Sequence, residues 1–461
     1  SITPADRADL AGAWQRLLLN QFHDILPGSA IPEAYVDANR DWAEAIRLAT
    51  AVRDRSLAAW TAAIARAVPD RDESPMWIVF NSLTWERSAW VELSGMSGPG
   101  RAIDLAGQPF LSQANPLGQK PYAPTNAGGG LNDDRVLVYL PAVPAGGYQV
   151  IRWQAIDREE NHEETLERCV AIEGESFWLE NDRLRAEIDR RSGDLTSLFD
   201  KAQGREILAG PGNQLQAFQD QGQYWDAWNI DPAYETHALE PAQLRSITIL
   251  ETGPVRATIR VVRTIGASEF HQDYRLAIGS PVLEMATRVH WQERHVFVKA
   301  AFVLADEPDV ATYETACGAI ARPTRPETDH ERAKWEVPAL RWADLAQRRS
   351  TMNEANEPHE AKAVTFDPRP IAPESIAWGV SLLNDCKYGY DAKPGLLRLS
   401  LLRGPTWPDP KADLGWHEFT YGLYPHAGGW QRAATVQRSR ELNQPVQVVS
   451  LSNLRKSSEP V

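Results

Sequence analysis

The first 70 residues carry the spacing of apolar positions that is typical of α-helices. The segment Thr3–Asp6 predicts a helix start, because it supplies a capping hydroxyl, a proline at the first helical position and an acid beside the helix dipole. Apolar residues then recur every three or four positions over Leu10–Leu18, and Pro27 ends the pattern. A second, longer helix begins at Pro32. Two helices cannot bury both apolar stripes alone, so they need a third helix or another domain, and we expect a segment of a helical bundle.

From Met76 onward the pattern changes from helical spacing to the alternation of β-strands. Four short apolar runs predict strands at 77–80, 89–93, 136–140 and 148–151. The last two flank a proline and a pair of glycines, a pattern that predicts a β-hairpin. The stretch 98–134 is rich in Gly, Pro and Asn and predicts long loops. The charged run 157–168 predicts a solvated linker at the end of a small β domain.

The rest of the chain alternates apolar and polar side chains over long stretches, as at 255–261 and 283–291. A period of two gives each strand one buried face and one solvated face. Large antiparallel sheets packed face to face are the expected result. We therefore expect an α+β fold in three domains: a helical bundle segment over residues 1–70, a small β-sandwich over 71–160 and a large antiparallel β-(super)sandwich over 161–461.

The composition argues against two classes of partner. The chain has 461 residues and a net charge of -14, and this acidic balance disfavours a nucleic acid partner. It has no run of about 18 apolar residues, so we expect no membrane span. Its 17 tryptophans suit sugar stacking, but Trp also fills the cores of β-sandwiches, and we expect most of them to be buried.

The cysteines indicate a redox environment. Cys169, Cys317 and Cys386 are odd in number and far apart, so they do not form a disulfide framework. Isolated thiols are typical of a reducing compartment, and we expect a cytoplasmic protein. No CxxC or HxxxH pair is present, so we expect no complete zinc site within the chain. Ser1 stands where an initiator methionine would be, and we expect that further residues precede it.

Residues suited to chemistry stand together near the end of the first helical pattern, where His23 is followed by Asp24. A neutral imidazole is a good zinc ligand, and a carboxylate accepts hydrogen bonds from sugar hydroxyls. From composition alone we favour a simpler interpretation, in which the helix dipole stabilises His23 beside a capping Asp24.

The sequence around this pair has a wider significance. Asn20–Ser29 reads Asn-Gln-Phe-His-Asp-Ile-Leu-Pro-Gly-Ser. It resembles the corresponding segment of glycoside hydrolase family 38, the zinc-dependent retaining α-mannosidases. Further strings resemble that family in the same order, at 79–87, 224–228, 251–256, 290–295, 313–324, 383–390 and 402–417. Together they cover nearly the whole chain and are most similar to the cytosolic and bacterial branch of the family.

The resemblance implies a role for each residue of the pair. His23 matches the family's zinc-binding histidine, and Asp24 matches the aspartate that binds the mannose hydroxyls. The other zinc ligands, a histidine and two aspartates of which one is the nucleophile, lie in a β/α barrel that would precede Ser1. The resemblance therefore implies that this chain has no catalytic residue, holds only part of the zinc site and is inactive alone. Its partner would be an α-mannoside oligosaccharide.

Four further residues lie in strings that resemble the family, and His426 follows the last of these strings. Asp385, Asp409 and Asp413 would contact a sugar or, more simply, cap turns. His417 and His426 are nine positions apart, so on one continuous strand they face opposite sides, and we interpret both as structural.

We expect His23 and Asp24 at the surface of the helical domain, next to apolar residues such as Phe22 and Ile25. An exposed apolar patch favours association with another molecule, including a second copy of the chain as a homo-oligomer. The alternative to a part of an α-mannosidase is a free-standing carbohydrate-binding or scaffold protein built from the same β domains.

Overall fold

The computed structural model describes residues 2–68, 74–96, 98–114, 135–156, 169–222, 224–348 and 376–451. The helices of this part of the chain are α1 (Pro4–Leu19), α2 (Pro32–Ala67), α3 (Asp329–Arg332) and α4 (Thr435–Asn443), with a 3-10 turn at Tyr234–His237. The strands up to residue 219 are β1 (Met76–Phe80), β2 (Arg87–Leu93), β3 (Gly100–Ile103), β4 (Ser112–Ala114), β5 (Val136–Val143), β6 (Tyr148–Ala155), β7 (Val170–Glu173), β8 (Phe177–Glu180), β9 (Leu184–Ile188), β10 (Leu195–Asp200), β11 (Arg205–Glu206) and β12 (Leu208–Gln219). The later strands are β13 (Gln243–Glu251), β14 (Arg256–Ile265), β15 (Ser268–Ala277), β16 (Leu283–Trp291), β17 (Val296–Leu304), β18 (Val310–Thr315), β19 (Gly318–Pro323), β20 (Val337–Pro338), β21 (Trp342–Arg348), β22 (Ile376–Asn384), β23 (Gly389–Lys393), β24 (Leu396–Leu402), β25 (Gly415–Ala427) and β26 (Gln447–Ser450).

The predicted start of α1 is confirmed by its capping box. The Thr3 hydroxyl accepts from Asp6 N at 3.2 Å, and Asp6 Oδ2 accepts from Thr3 N at 2.9 Å. The helix ends at Leu19, before the proline that was predicted to end it. The Asn20 side chain donates to the Arg16 carbonyl oxygen at 2.9 Å and so satisfies one of the open carbonyls there.

The helices α1 and α2 form an antiparallel hairpin. Arg55, near the end of α2, donates to Asp6 Oδ1 from Nε at 3.0 Å and from Nη2 at 2.6 Å. At the other end, Asn20 Nδ2 lies 3.4 Å from Asp41 Oδ2. This hairpin is part of the predicted bundle, and a complete bundle stays a prediction. Among the described helices, none combines the length and apolar character that crossing a membrane requires.

The small β-sandwich consists of two sheets, with strand orders β26-β1-β6-β3 and β2-β5-β4. Their facing sides share a core that includes Trp77, Val91, Leu140 and Trp153. The predicted hairpin of β5 and β6 is wrong, because β5 pairs with β2 and β4 while β6 pairs with β1 and β3. The turn between β5 and β6 therefore carries the chain from one sheet to the other.

Two further features of the small sandwich differ from the expected loops and boundaries. Strands β3 and β4 lie inside the stretch predicted as loops; its later part, 115–134, and the predicted linker 157–168 lie outside the described residues. Strand β26, from the region assigned to the large sandwich, pairs with β1 in the register Trp77 to Ser450. The described chain thus returns at its end to the first strand of the small sandwich.

The large sandwich confirms the prediction of large antiparallel sheets. One sheet has the order β20-β23-β24-β17-β12-β10-β9-β8-β7, with β11 on β10. The other has the order β13-β14-β15-β16-β25-β22-β21-β18-β19. The two sheets share one core, and its largest fully buried side chains include Phe270, Tyr274, Trp291, Phe302 and Tyr421.

Buried charges cross-link the ten-stranded sheet. The side chain of Lys299 is fully buried, and its Nζ lies 2.5 Å from Asp391 Oδ1 and in contact with Glu336. Arg398 Nη2 lies 2.6 Å from Asp391 Oδ2. Each cation in this group thus faces a carboxylate, as buried charges require.

Candidate functional site

A tight turn joins α1 to α2 and presents the residues that the sequence singles out. Leu26 N donates to the Phe22 carbonyl oxygen at 3.1 Å, and Ser29 N donates to the Asp24 carbonyl oxygen at 3.0 Å. Gly28 has φ 80°, a left-handed value that favours glycine. The turn therefore holds its side chains on a fixed backbone just beyond the end of α1.

His23 and Asp24 lie on the outer side of this turn, and their predicted surface position is confirmed. The side chains are 77% and 34% exposed, and His23 Nε2 lies 3.5 Å from Asp24 Oδ2. The Phe22 ring lies 4.3 Å from the imidazole, centroid to centroid. Phe22 is exposed as predicted, but Ile25 is half-buried, and the exposed Leu26 takes its place at the apolar border.

Tyr35 in the first turns of α2 relates this pair to the large sandwich. Its hydroxyl donates to the Asp24 carbonyl oxygen at 3.3 Å and accepts from a backbone amide at 3.1 Å. Burial raises the pKa of Tyr35, and the negative charges of Asp409, Asp24 and Asp413 raise it further. Because Asp409 and Asp413 belong to the loop 403–414 of the large sandwich, that loop lies within electrostatic reach of the turn.

Arg403 fastens the 403–414 loop to a second loop, residues 224–231. Its Nε donates to Asp220 Oδ2 at 2.5 Å, and its Nη2 donates to two backbone carbonyls of the 224–231 loop at 3.0 and 2.6 Å. The Asp220 side chain is almost fully buried, so water screens this ion pair little. Asp226 adds a further link, since its Oδ2 accepts from a backbone amide of the 403–414 loop at 2.6 Å.

Three indole rings stand on these two fastened loops. The ring centroid of Trp225 lies 5.2 Å from that of Trp407 and 5.8 Å from that of Trp228, and the last two are 5.8 Å apart. The sequence alone does not identify these three residues as a group, because a tryptophan is expected in the core by default. The available signal was the pair Trp225 and Trp228 in a stretch without strand alternation.

The three aspartates that the sequence offered as sugar contacts all accept backbone hydrogen bonds, and Asp409 caps a turn in this way. Asp385 Oδ2 accepts from Thr420 N at 2.9 Å, and Asp409 Oδ1 accepts from a backbone amide two residues later at 2.8 Å. Asp413 Oδ2 accepts from Arg403 N at 3.2 Å and from the next amide at 3.0 Å. The negative charges of Asp409 and Asp413 act on Tyr35, whereas Asp385 is bound to the backbone of β25 in the nine-stranded sheet.

The two histidines on β25 are bonded inside the fold, which agrees with a structural role. His417 Nε2 bonds to the Asp413 carbonyl oxygen at 2.6 Å. His426 is buried, and its Nε2 lies 2.8 Å from Asp344 Oδ1 and 3.0 Å from Ser381 Oγ. A nucleophilic triad needs the acid and the serine on different ring nitrogens, but here both share Nε2. This buried trio is therefore not a catalytic serine site.

Zinc is the cofactor that the resemblance implies. Within the part of the chain that the structure describes, no three His, Cys, Asp or Glu side chains converge as a metal site would require. His23 and Asp24 offer one imidazole and one carboxylate, whereas zinc sites in proteins use three or four protein ligands. Cys169, Cys317 and Cys386 are free thiols. The pair therefore fits a part of a zinc ligand set and not a complete set.

Comparisons with known proteins agree on one group of relatives. Residues 3–59 match the alpha mannosidase middle domain, and residues 179–411 match the glycosyl hydrolases family 38 C-terminal domain. Human alpha-mannosidase 2C1 is 31% identical over 95% of this chain, and alpha-mannosidase G of Dictyostelium discoideum is 27% identical over 94%. The crystal structure of an alpha-mannosidase from Enterococcus faecalis V583 covers 96% of this chain and 53% of its own, with a TM-score of 0.69 at 14% identity, which is a likeness of fold.

The chain spans about a third of the length of the curated relatives it matches, 36% of the human protein and 38% of the Dictyostelium one. The turn with His23 and Asp24 lies inside the first matched segment, 3–59. The three indoles lie inside the second, 179–411. Both parts of the candidate site therefore belong to regions that the family models match.

Proposed function

The chain belongs to glycosyl hydrolase family 38, and from this we propose that it forms the C-terminal part of an α-mannosidase. The parent protein acts in the cytoplasm and hydrolyses terminal α-linked mannose from oligosaccharides by a two-step retaining mechanism. The observation that carries the proposal is the exposed pair of His23 and Asp24, on a fixed turn within electrostatic reach of the large sandwich.

Each residue of the pair has its own role in this proposal. Asp24 accepts hydrogen bonds from mannose hydroxyls and so orients the ring. His23, with its largely exposed imidazole, contributes one nitrogen ligand to a zinc ion whose other ligands come from outside the described residues. Zinc, when bound, supplies the positive charge that binds adjacent sugar hydroxyls. Tyr35 positions Asp24 by donating to its backbone carbonyl.

The proposal assigns no catalytic residue within the chain. A retaining mechanism needs a carboxylate nucleophile and a carboxylic acid about 5–5.5 Å apart. Asp24 serves in binding, and Asp409 and Asp413 accept backbone hydrogen bonds in turns. The chain alone is therefore expected to be inactive.

Variants of the protein encoded by the complete reading frame test the proposal, with an aryl α-mannoside as substrate. Asp24→Asn should lower kcat/KM by roughly a hundredfold, because it removes charged hydrogen bonds to the sugar. His23→Ala should lower the zinc content measured by elemental analysis. His330→Ala, an exposed histidine on α3, is the matched control and should change neither quantity. An unchanged kcat/KM for Asp24→Asn would overturn the assignment.

The 461-residue chain provides a second arm of this experiment. Assayed with added zinc on the same substrate, it should show no turnover above the buffer blank. Turnover that follows the purified chain and disappears in His23→Ala would contradict the expected inactivity, and it would place the nucleophile inside these residues.

The second candidate function is a free-standing carbohydrate-binding or scaffold protein. The observation that favours it is the group of exposed indoles on the large sandwich, because indole faces are suited to sugar stacking and stacking needs no nucleophile. A start codon at the position of Ser1 would support this function, and a barrel encoded in frame upstream would support the first.

A further inference from the structure

Trp225, Trp228 and Trp407 differ from the tryptophans that build the core. Their exposed fractions are 61%, 44% and 46%. The core tryptophans are less than 10% exposed, and they are Trp77, Trp153, Trp291, Trp342 and Trp378. Three contiguous exposed indoles form an aromatic patch. Contiguous apolar patches mark binding surfaces, whereas single exposed apolar residues do not. We call this group the indole platform.

Polar contacts join the two loops that carry the indole platform. Ala227 N donates to the Trp407 carbonyl oxygen at 3.0 Å, which joins the two loops through their backbones. Arg403, with a side chain 15% exposed, joins the two loops by its hydrogen bonds. Trp225 has φ 57°, a left-handed conformation that a bulky residue adopts only when its surroundings fix it. The ring positions are thus set before any ligand arrives, which lowers the entropic cost of binding.

The indole platform shares the 403–414 loop with a charge that acts on the surroundings of the proposed mannose site. Trp407 is two residues before Asp409, and the charge of Asp409 acts on Tyr35 together with that of Asp24. Tyr35 bonds directly to the Asp24 backbone. The 403–414 loop therefore carries both a ring of the platform and a carboxylate whose charge acts on Tyr35.

We propose that the indole platform binds a further sugar ring of the oligosaccharide whose terminal mannose lies at Asp24, so that the site prefers α-mannoside oligosaccharides to single mannosides. Indole faces stack on the apolar C–H faces of neutral sugars, and the turn-capping Asp409 beside them offers a hydroxyl acceptor. This inference rests on the proposed function only in placing the terminal mannose at Asp24. Stacking by the platform itself needs neither zinc nor a nucleophile.

Calorimetric titration of the chain with methyl α-mannoside and with an α-linked mannotetraose tests the inference. The mannotetraose should bind more tightly than the monosaccharide. Trp228→Ala should weaken mannotetraose binding by roughly tenfold or more and leave methyl α-mannoside binding unchanged. Trp60→Ala is the matched control, since Trp60 is 63% exposed on α2 and should leave both affinities unchanged. Trp228→Tyr keeps an aromatic face and should retain most of the affinity.

The outcomes separate this inference from the proposed function. If Asp24→Asn leaves both affinities unchanged while Trp228→Ala removes mannotetraose binding, the platform stands and the role of Asp24 fails. If the native chain does not bind mannotetraose, or if Trp225→Ala and Trp228→Ala bind it normally, the platform is overturned. If these tryptophan variants change the sedimentation of the chain but not its affinity for mannotetraose, the patch is a protein-docking surface. That result also overturns the proposal. Equal melting temperatures confirm that the variants are folded.

Discussion

The large sandwich and the helical hairpin bury their apolar side chains to opposite degrees. The sandwich core contains rings as large as Trp291 and Tyr421 with no exposed surface. The hairpin and its turn leave many large apolar side chains exposed, and these are Trp14, Leu17, Leu18, Leu19, Phe22, Leu26, Ile31, Val36, Ile46 and Trp60. The proposed mannose site consists of His23 and Asp24. Both residues lie in the hairpin and its turn, which form the open region, and not in the large sandwich, which is the closed region. The open apolar face is the surface on which a further domain or a second copy would pack.

The charges of the two regions show the same contrast. In the sandwich, burial opposes ionisation of Asp391, but Lys299 and Arg398 hold its pKa below the usual range. In the hairpin, pairs such as Arg47 with Glu44 lie in solvent on one helix. A buried ion pair is costly to break, whereas an exposed one contributes little. The large sandwich should therefore respond strongly to single substitutions, and the hairpin weakly.

The largest effect is expected for Lys299→Met in the large sandwich. The change removes the cation between Asp391 and Glu336 and leaves both carboxylates in the interior. The free energy of unfolding should fall by roughly 3–5 kcal/mol, measured by urea denaturation. Lys393→Met is the control, since Lys393 pairs with Glu235 at the surface, and it should cost about 1 kcal/mol or less. Equal losses of unfolding free energy in the two variants would contradict the contrast between buried and exposed ion pairs.

A second prediction compares one leucine from each region. Leu399→Ala in the core should cost about 2–5 kcal/mol, because it leaves a cavity among fully buried neighbours. Leu19→Ala removes a side chain that is 69% exposed and should change stability by about 0.5 kcal/mol or less. Sedimentation of Leu19→Lys should show weaker self-association than the native chain. A destabilisation of Leu19→Ala comparable to that of Leu399→Ala would mean that the hairpin face is covered.

Local signals in the sequence were enough for the first helices and for the long alternating strands, but not for β3 and β4, because caps and alternation are properties of neighbouring residues. The capping box of Thr3 and Asp6 and the alternating strands at 255–261 and 283–291 appear where the pattern predicts them. The pairing of strands was not predictable in the same way. β5 and β6 follow one another across a turn but belong to different sheets, and β26 crosses the chain to β1. Such choices depend on contacts between distant segments.

The same distinction between local signals and long-range contacts applies to the residues of the candidate site. His23 and Asp24 were found from a local string, and their surface position follows from their place in a turn. The indole platform was not found, since it joins Trp225 and Trp407 through contacts across 182 positions of sequence, from 225 to 407. The type of a residue does not decide whether it is buried or exposed. Only the position of the two loops does so.

A smaller effect is expected for Asp6→Asn, which tests the link between the two helices. Hydrogen bonds from the Thr3 backbone and from Arg55 lower the pKa of Asp6 to about 2. A carboxyl group with a lowered pKa stabilises the fold above its unfolded pKa, near 3.8, and this contribution is lost as the pH falls toward 2. The urea midpoints of native and Asp6→Asn chains should differ above pH 4 and converge near pH 2. Asp37→Asn, whose partner Arg40 lies on the same helix, should show no such convergence.

The smallest effect is expected for His23→Ala, because the chain itself makes little use of this side chain. His23 is 77% exposed, and its only charged neighbour is Asp24 at 3.5 Å among the described residues. The free energy of unfolding should change by about 0.5 kcal/mol or less. Zinc titration of the native chain should show no tight site, since one imidazole and one carboxylate do not complete a ligand set. A contrary result would be a stoichiometric zinc site of micromolar or better affinity that is lost in His23→Ala. It would show that the hairpin holds a whole zinc site, and the contrast between the hairpin and the large sandwich would not hold for His23.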